Sequence, residues 1–181
     1  MNPELAAFLD ARVADFDQQV VWRGGEHRLQ LRGYLTTDTP PDAFVLAGRA
    51  LVIDDQRVLV VRTADGEHVL PGGRREPGET AVDAAHREVI EETGWSISHP
   101  TALSVLHLHY ETPEPVNVGR VIYPDFLWHV FVAQPSGFDP TAQHTDGYEL
   151  GAGFRPIAEV LQEALEPFQR ILLEAAVRAR G

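Results

Sequence analysis

Gly73-Arg-Arg-Glu-Pro-Gly-Glu79-Thr-Ala-Val-Asp-Ala-Ala-His-Arg87-Glu88-Val-Ile-Glu91-Glu92-Thr-Gly94-Trp95 is the stretch that decides the fold. Glu79, Arg87, Glu88, Glu91 and Glu92 stand between two glycines in the pattern G-x5-E-x7-R-E-U-x-E-E-x-G-U, with U a bulky apolar residue. With each residue type near 7% of an average protein, such a set of fixed letters arises by chance in a chain this long on the order of once in a million. The local chemistry is that of a loop followed by a helix. Pro77-Gly78-Glu79-Thr80 reads as a turn with Thr80 as N-cap. Residues 81–93 contain neither proline nor glycine, and Gly94 is a C-terminal stop. At about 100° per residue, Ala81, Ala85 and Val89 form the packed stripe, while Ile90, Asp83 and Arg87 fall on the far side. Glu88, Glu91 and Glu92 lie beside the packed stripe and, at i+3 and i+4 spacing, converge. A single glutamate on a helix is ordinarily a solvated surface group. Three at a core boundary repel one another and lose hydration. A hard divalent cation such as Mg²⁺ relieves both costs.

The stretch resembles the Nudix box at every fixed position; only Trp95 stands where an aliphatic residue is more usual. The resemblance implies the Nudix fold, an α/β/α sandwich around a mixed β-sheet. It also implies a loop–helix–loop that binds Mg²⁺ or Mn²⁺ and hydrolyses a diphosphate linked to a further moiety X, usually in a nucleotide. Carried over residue by residue, Glu88 and Glu92 are the expected metal ligands, and Glu91 is a further ligand or part of the acidic cluster. The main-chain carbonyl of Gly72 completes the site. Arg87 and Glu79 are expected to pair and hold the loop, and Gly73 and Gly94 to serve backbone geometry. The family often draws its general base from a glutamate well after the box. Glu149 matches that place, because Gly153-Phe154-Arg155-Pro156-Ile157 resembles the strand-to-helix segment that follows it; Glu111 and Glu114 are alternatives. The motif that flanks the box in coenzyme A hydrolases is not evident.

Composition bounds the rest. The chain has 181 residues, 44% of them hydrophobic, which suits one domain with a real core. There is no cysteine, hence no disulfide, thiolate metal site or cysteine nucleophile. The N-terminus lacks the basic start and apolar run of a signal peptide, and no stretch approaches a membrane span, so a soluble cytoplasmic protein is expected. All 15 Lys-plus-Arg residues are arginine and the net charge is −12. The missing lysine is consistent with a GC-rich bacterial genome. An acidic chain without a basic patch is a poor partner for nucleic acid polymers. It is also an odd host for a phosphate substrate unless metal ions and local arginines reverse the field. Arg62, Arg74, Arg75 and Arg120 are the candidates for substrate contact.

Working outward from the box, residues 1–40 read as an N-terminal extension of domain 41–181. It holds an amphipathic helix over 3–20 (Leu5, Phe8, Leu9, Val13, Phe16), opened by Asn2-Pro3 and ended at Gly24-Gly25, and a strand over 27–36. It is a plausible homodimer interface. A hairpin is expected over 44–53 and 57–63, with a turn at Asp65-Gly66. Further strands are expected over 96–110 and 121–133, with Pro124 at an edge or bulge. Loops fall at 111–120 and 134–153, and helices at 156–165 and 167–180. Trp22, Phe44, Tyr110, Tyr123 and Tyr148 could stack on a base, Tyr110 foremost because its place past the box separates some subfamilies; packing is the plainer role for each. His107, His109 and His129 read as structural. Two rival readings keep the fold: a metabolite sensor with a silent box, and an isoprenoid diphosphate isomerase, which the absence of cysteine disfavours because those relatives use one.

Overall fold

The computed structural model describes residues 1–22, 25–115, 121–143, 149–163 and 165–180. Helix α1 (Pro3–Asp10) is followed by strands β1 (Phe16–Trp22), β2 (His27–Leu35), β3 (Val45–Asp54), β4 (Arg57–Thr63), β5 (Gly66–His68) and β6 (Gly72–Arg74). Helix α2 (Ala81–Thr93) leads into β7 (Trp95–Tyr110), β8 (Asp125–Phe138), β9 (Glu149–Pro156), the single turn α3 (Ile157–Val160) and α4 (Pro167–Arg180). The strands form one mixed sheet in the order β1-β2-β7-β8-β3-β4-β5, with β6 added to β3 and β9 added to β4. The β3–β8 pair is parallel and the other pairs are antiparallel.

Each face of the sheet is covered by helix, as expected for an α/β/α sandwich. Leu172, Leu173 and Ala176 of α4 close one core over Leu51, Leu106, Leu108, Phe126 and Val130. Leu5 and Leu9 of α1 and Ala81, Ala85 and Val89 of α2 close the other over Ala50, Val52, Val105 and Leu127. The small residues on α2 follow from how near it lies to the sheet. A Cβ built on Gly48 of β3 would stand 1.8 Å from the carbonyl oxygen of Ala81. No side chain fits there, so Gly48 sets the helix-to-sheet distance.

The helix over 81–93 forms as its sequence dictates. Thr80 accepts from the Asp83 backbone N–H while the Asp83 carboxylate accepts from the Thr80 N–H, a reciprocal capping box. Gly94 closes the helix in the left-handed conformation (φ 74°). Ala84 and Thr93 join the expected stripe in the core. Asn2 caps α1 by accepting from the Glu4 N–H at 2.9 Å.

Four expectations are corrected. The first helix stops at Asp10, and Phe16–Trp22 is a strand paired with His27–Gly33. The helical spacing of Val13 and Phe16 misleads, because Val13 is exposed and Phe16 enters the opposite core from Leu5 and Leu9. The partner strand β2, rather than local propensity, takes up this backbone. Pro124 lies on neither an edge nor a bulge; it directly precedes β8, which runs centrally between β7 and β3. That strand continues through Pro135 to Phe138, with the ladder shifting register where Pro135 meets Ile97. The loop foreseen at 134–153 therefore shrinks from both sides, because Glu149–Pro156 is a strand held by β4. Its glycines at 151 and 153 hide it from a reading based on β propensity. The helix foreseen at 156–165 is one turn, Ile157–Val160. Residues 116–120 and 144–148, which include Arg120 and Tyr148, lie outside the described residues.

Gly48→Ala is expected to lift α2 from β3 and lower stability by about 1–3 kcal/mol, the usual cost of overpacking. Denaturant unfolding checks this; a midpoint equal to that of the parent would show that the helix yields without cost.

Candidate active site

The acidic helix is tied to its leading loop by one guanidinium. Arg87 donates from Nε to Glu79 Oε1 at 2.7 Å and from Nη2 to Glu79 Oε2 at 3.0 Å. Its Nη1 donates to Glu88 at 2.9 Å and to Glu91 at 3.1 Å, and Nη2 reaches the carbonyl of Arg74 at 2.9 Å. The expected Arg87–Glu79 pair is thus present, and its hydrogen bond holds the Glu79 carboxyl below the usual carboxylate range. Arg87 does not stay on the far side of the helix, since its long side chain wraps round to Glu88 and Glu91.

Glu88 and Glu92 occupy different surroundings. The Glu88 carboxylate lies against Gly73, where a built Cβ would sit 2.3 Å from its carboxyl carbon, so a side chain there would require the carboxylate to shift. Glu92 turns toward Gly72, whose N–H approaches Oε1 at 3.4 Å, the long end of a hydrogen bond. Its Oε2 is buried and has no hydrogen-bond partner among the described residues. Burial pushes the Glu92 carboxyl up to about 7, helped by repulsion from Glu88 and Glu149 and opposed by Arg49 and the Gly72 N–H. Of the three helix glutamates, Glu88 and Glu91 are thus engaged by Arg87, while Glu92 turns to Gly72. Among the described residues no three acidic or imidazole groups are already gathered as a metal-holding set.

Glu92 and Gly72 open into a cleft of about 420 Å³ bounded by the β4–β5 turn, β3, β8 and the start of α4. Glu149, the first residue of β9, is brought there by pairing with Thr63. The other two candidate bases are elsewhere: Glu111 accepts from Gln19 at 3.0 Å, and neither it nor Glu114 lines the cleft.

None of the described arginines expected at the substrate lines this cleft. Arg75 is held by Asp42 and by the carbonyls of Glu79 and Val45. Arg62 is exposed beside Gly151, and Arg74 is exposed at the end of β6. Tyr110 is buried among Phe126, Tyr123 and His27, a packing role. Phe44 is partly buried in the core under α2. The aromatics that do reach the cleft are Phe168 and Trp128, the latter with Trp22 stacked on it at 5.6 Å and 7°. Arg49, His68 and Gln169 also line the cleft, and sequence reading passed over them. Arg49 is flanked by small and apolar residues in a strand, and its buried neighbours come from β8 and the 68–72 loop. Burial, with Arg49 nearby, drives His68 down to about 4, so it is neutral at pH 7. His107 and His109 share Asp125 Oδ1 at 2.8 Å each, and His129 is buried against Phe131; all three are structural here.

The chain belongs to the Nudix family: the model of the NUDIX domain matches residues 44–176. The 8-oxo-dGDP phosphatase of Homo sapiens is 33% identical over 108 residues, 57% of this chain and 29% of that protein. A putative 8-oxo-dGTP diphosphatase of Bacillus subtilis is 39% identical over 62 residues, 34% of this chain and 39% of that protein. The chain thus matches less than half the length of these relatives. Among solved structures, a NUDIX hydrolase from Nitrosomonas europaea superposes with TM-score 0.57 at 24% identity, over 74% of this chain and 88% of that one. A Bacillus subtilis pyrophosphohydrolase gives 0.58 at 16%, over 90% and 97%. At such identities the likeness is one of fold.

The Glu92 carboxyl fixes a pH dependence. Its folded-state pKa is raised, so folding favours the protonated form, and the Glu92 contribution to stability falls as pH rises from the ordinary value of 4.5 through about 7. The buried His68 and His129, each lowered to about 4, contribute in the opposite direction below 6.5, so the Glu92 effect is read as a difference between variant and parent. Glu92→Gln, which is neutral throughout, is expected to gain thermal stability relative to the parent as pH rises across that window, and to melt above it at pH 8 in metal-free buffer. A difference in melting temperature between variant and parent that stays constant or shrinks over the same interval would contradict the assignment.

Proposed function

We propose that this protein is a pyrophosphohydrolase that splits the P–O–P bond of a nucleoside diphosphate joined to a further moiety X, with Mg²⁺ or Mn²⁺ as cofactor. One observation carries the reading: within a complete box, Glu92 buries an unpartnered carboxylate oxygen at the wall of a cleft that also holds Glu149. That oxygen, the main-chain carbonyl of Gly72 and the Glu88 carboxylate beside Gly73 would supply a hard-oxygen donor set, and such a set suits Mg²⁺ better than any softer metal. Glu91 stands next to them as a further donor. A bound Mg²⁺ would neutralise the diphosphate, orient it and lower the pKa of its water.

The chain's own groups have separate tasks. Glu88 and Glu92 hold the cofactor. Arg87, through Glu79 and the Arg74 carbonyl, keeps the loop closed on the helix. Glu149 takes the proton of the attacking water as the new O–P bond forms and the bond from phosphorus to the bridging oxygen breaks. The bridging oxygen leaves on the other phosphate. Nucleotide substrates such as ADP-ribose, dinucleoside polyphosphates or nucleoside triphosphates fit this chemistry. The names of the relatives support a nucleoside di- or triphosphate. A non-catalytic metabolite sensor is the second reading, favoured by one observation: Glu88 and Glu91 are held by Arg87 rather than directed together at a cation.

Incubation with Mg²⁺ and a panel of nucleotide diphosphate derivatives separates the two, with phosphate-containing products as readout. Turnover is expected in the parent and its loss in Glu92→Gln; a parent that turns over no member of the panel would favour the sensor. Glu149→Gln is expected to lower kcat by roughly 10²–10⁴-fold, the usual share of a general base, and full activity would remove Glu149 from that role. Mg²⁺ is further expected to raise the melting temperature more at pH 8 than at pH 5, because the Glu92 carboxyl must lose its proton to bind.

A further inference from the structure

The cleft presents a charge problem that the box does not solve. Asp65, Glu67, Glu92, Glu149 and Glu166 all line it, and Arg49 is the one arginine among the described residues that does. An anionic substrate entering such a cleft meets a predominantly acidic lining, in which Glu67 is already paired with Arg155 at 2.8 Å. Metal ions held by the box offset charge only at their own end. A cation elsewhere on the wall is needed for any phosphate oxygen the metals do not reach.

Arg49 is built as such a group. Its Cα pairs with that of Gly72 across β3 and β6, which places it next to the Glu92 end of the box. Its charge is the largest single influence favouring the ionised form of Glu92. The guanidinium lies 4.3 Å from the centre of the Trp128 ring, and Trp128 in turn stacks on Trp22 at 5.6 Å. Nη1 donates to the carbonyl of Leu70 at 2.9 Å. Ring contact and hydrogen bond together restrain the guanidinium, so less side-chain entropy remains to be lost when a ligand arrives. A planar guanidinium presents paired N–H groups to phosphate oxygens, and an ammonium does not.

Resting on the diphosphate reading above, we infer that Arg49, seated over the Trp128 ring of the Trp128–Trp22 stack, is the substrate-binding residue that receives the phosphate oxygens not taken by the metal. The stack is the positioning element, and Trp128 reports on occupancy because it lines the same cleft.

The probe is methylenediphosphonate, a P–C–P mimic of diphosphate that resists hydrolysis and carries no base, titrated with Mg²⁺ by calorimetry and by tryptophan emission. The parent is expected to bind it with a change in emission. Arg49→Gln should weaken binding roughly ten- to a hundredfold, the worth of a charge-assisted hydrogen bond, with KM for the nucleotide rising more than kcat falls. Arg49→Lys keeps the charge without the fork and is expected between the two, at a melting temperature close to the parent's. Arg49→Gln binding as tightly as the parent overturns the inference. So does an affinity loss in both variants that merely follows a fall in melting temperature, which would make Arg49 a prop for the 70–72 loop. If the parent hydrolyses a nucleotide while Arg49→Gln keeps its KM, this inference alone fails. If the parent neither binds the probe nor hydrolyses any nucleotide, the diphosphate reading fails with it.

Discussion

The guanidinium of Arg87 holds the acidic helix and its leading loop in one piece, and the rest of the site depends on it. Four separate groups accept from it: both oxygens of Glu79, one each of Glu88 and Glu91, and the Arg74 carbonyl. It thereby offsets the repulsion among carboxylates on one helical face and ties the loop to the helix. These bonds are partly screened from water, which makes them worth more than an exposed pair, though any one alone would contribute modestly. The network leaves Glu92 outside. That carboxylate is buried, unpartnered at one oxygen and raised to about 7, the condition in which a divalent cation gains most by binding.

Close packing supplies the complementary constraint. Gly48 lets α2 approach the sheet, and Gly73 leaves space for the Glu88 carboxylate. Both glycines are on paired strands, Gly48 opposite Gly73 in the β3–β6 ladder. The absence of a side chain at Gly48 sets the distance of the acidic helix, and the absence of one at Gly73 leaves the Glu88 carboxylate its place. The same ladder aligns Arg49 with Gly72, so the cation on the cleft wall and the box are held in register by backbone hydrogen bonds.

Much of this was legible in the chain. The capping box, the left-handed glycine stop and the apolar stripe of α2 are local, and each was readable from a few residues. The Glu79–Arg87 pair was expected from the resemblance to the box, and the site's acidic character followed from spacing. The strands of strong β propensity, β3, β4 and β7, were legible for the same reason. What failed was non-local. Phe16–Trp22 carries a helical spacing yet is claimed by β2. Glu149–Pro156 carries glycines yet is claimed by β4. Tyr110 occupies a position that suggested a substrate contact and is instead packed beneath other aromatics.

The sequence alone determined the box, its helix, its donor chemistry and the family they belong to, because all of these depend on residues within one or two helical turns of each other. Only the tertiary structure decided which groups share the cleft. Arg49, His68, Trp128, Glu149 and Gln169 come from strands and a helix far apart in the chain and meet through sheet pairing. Whether a charged side chain faces water or a neighbour is settled by what packs against it, and that information is not local to any stretch of sequence.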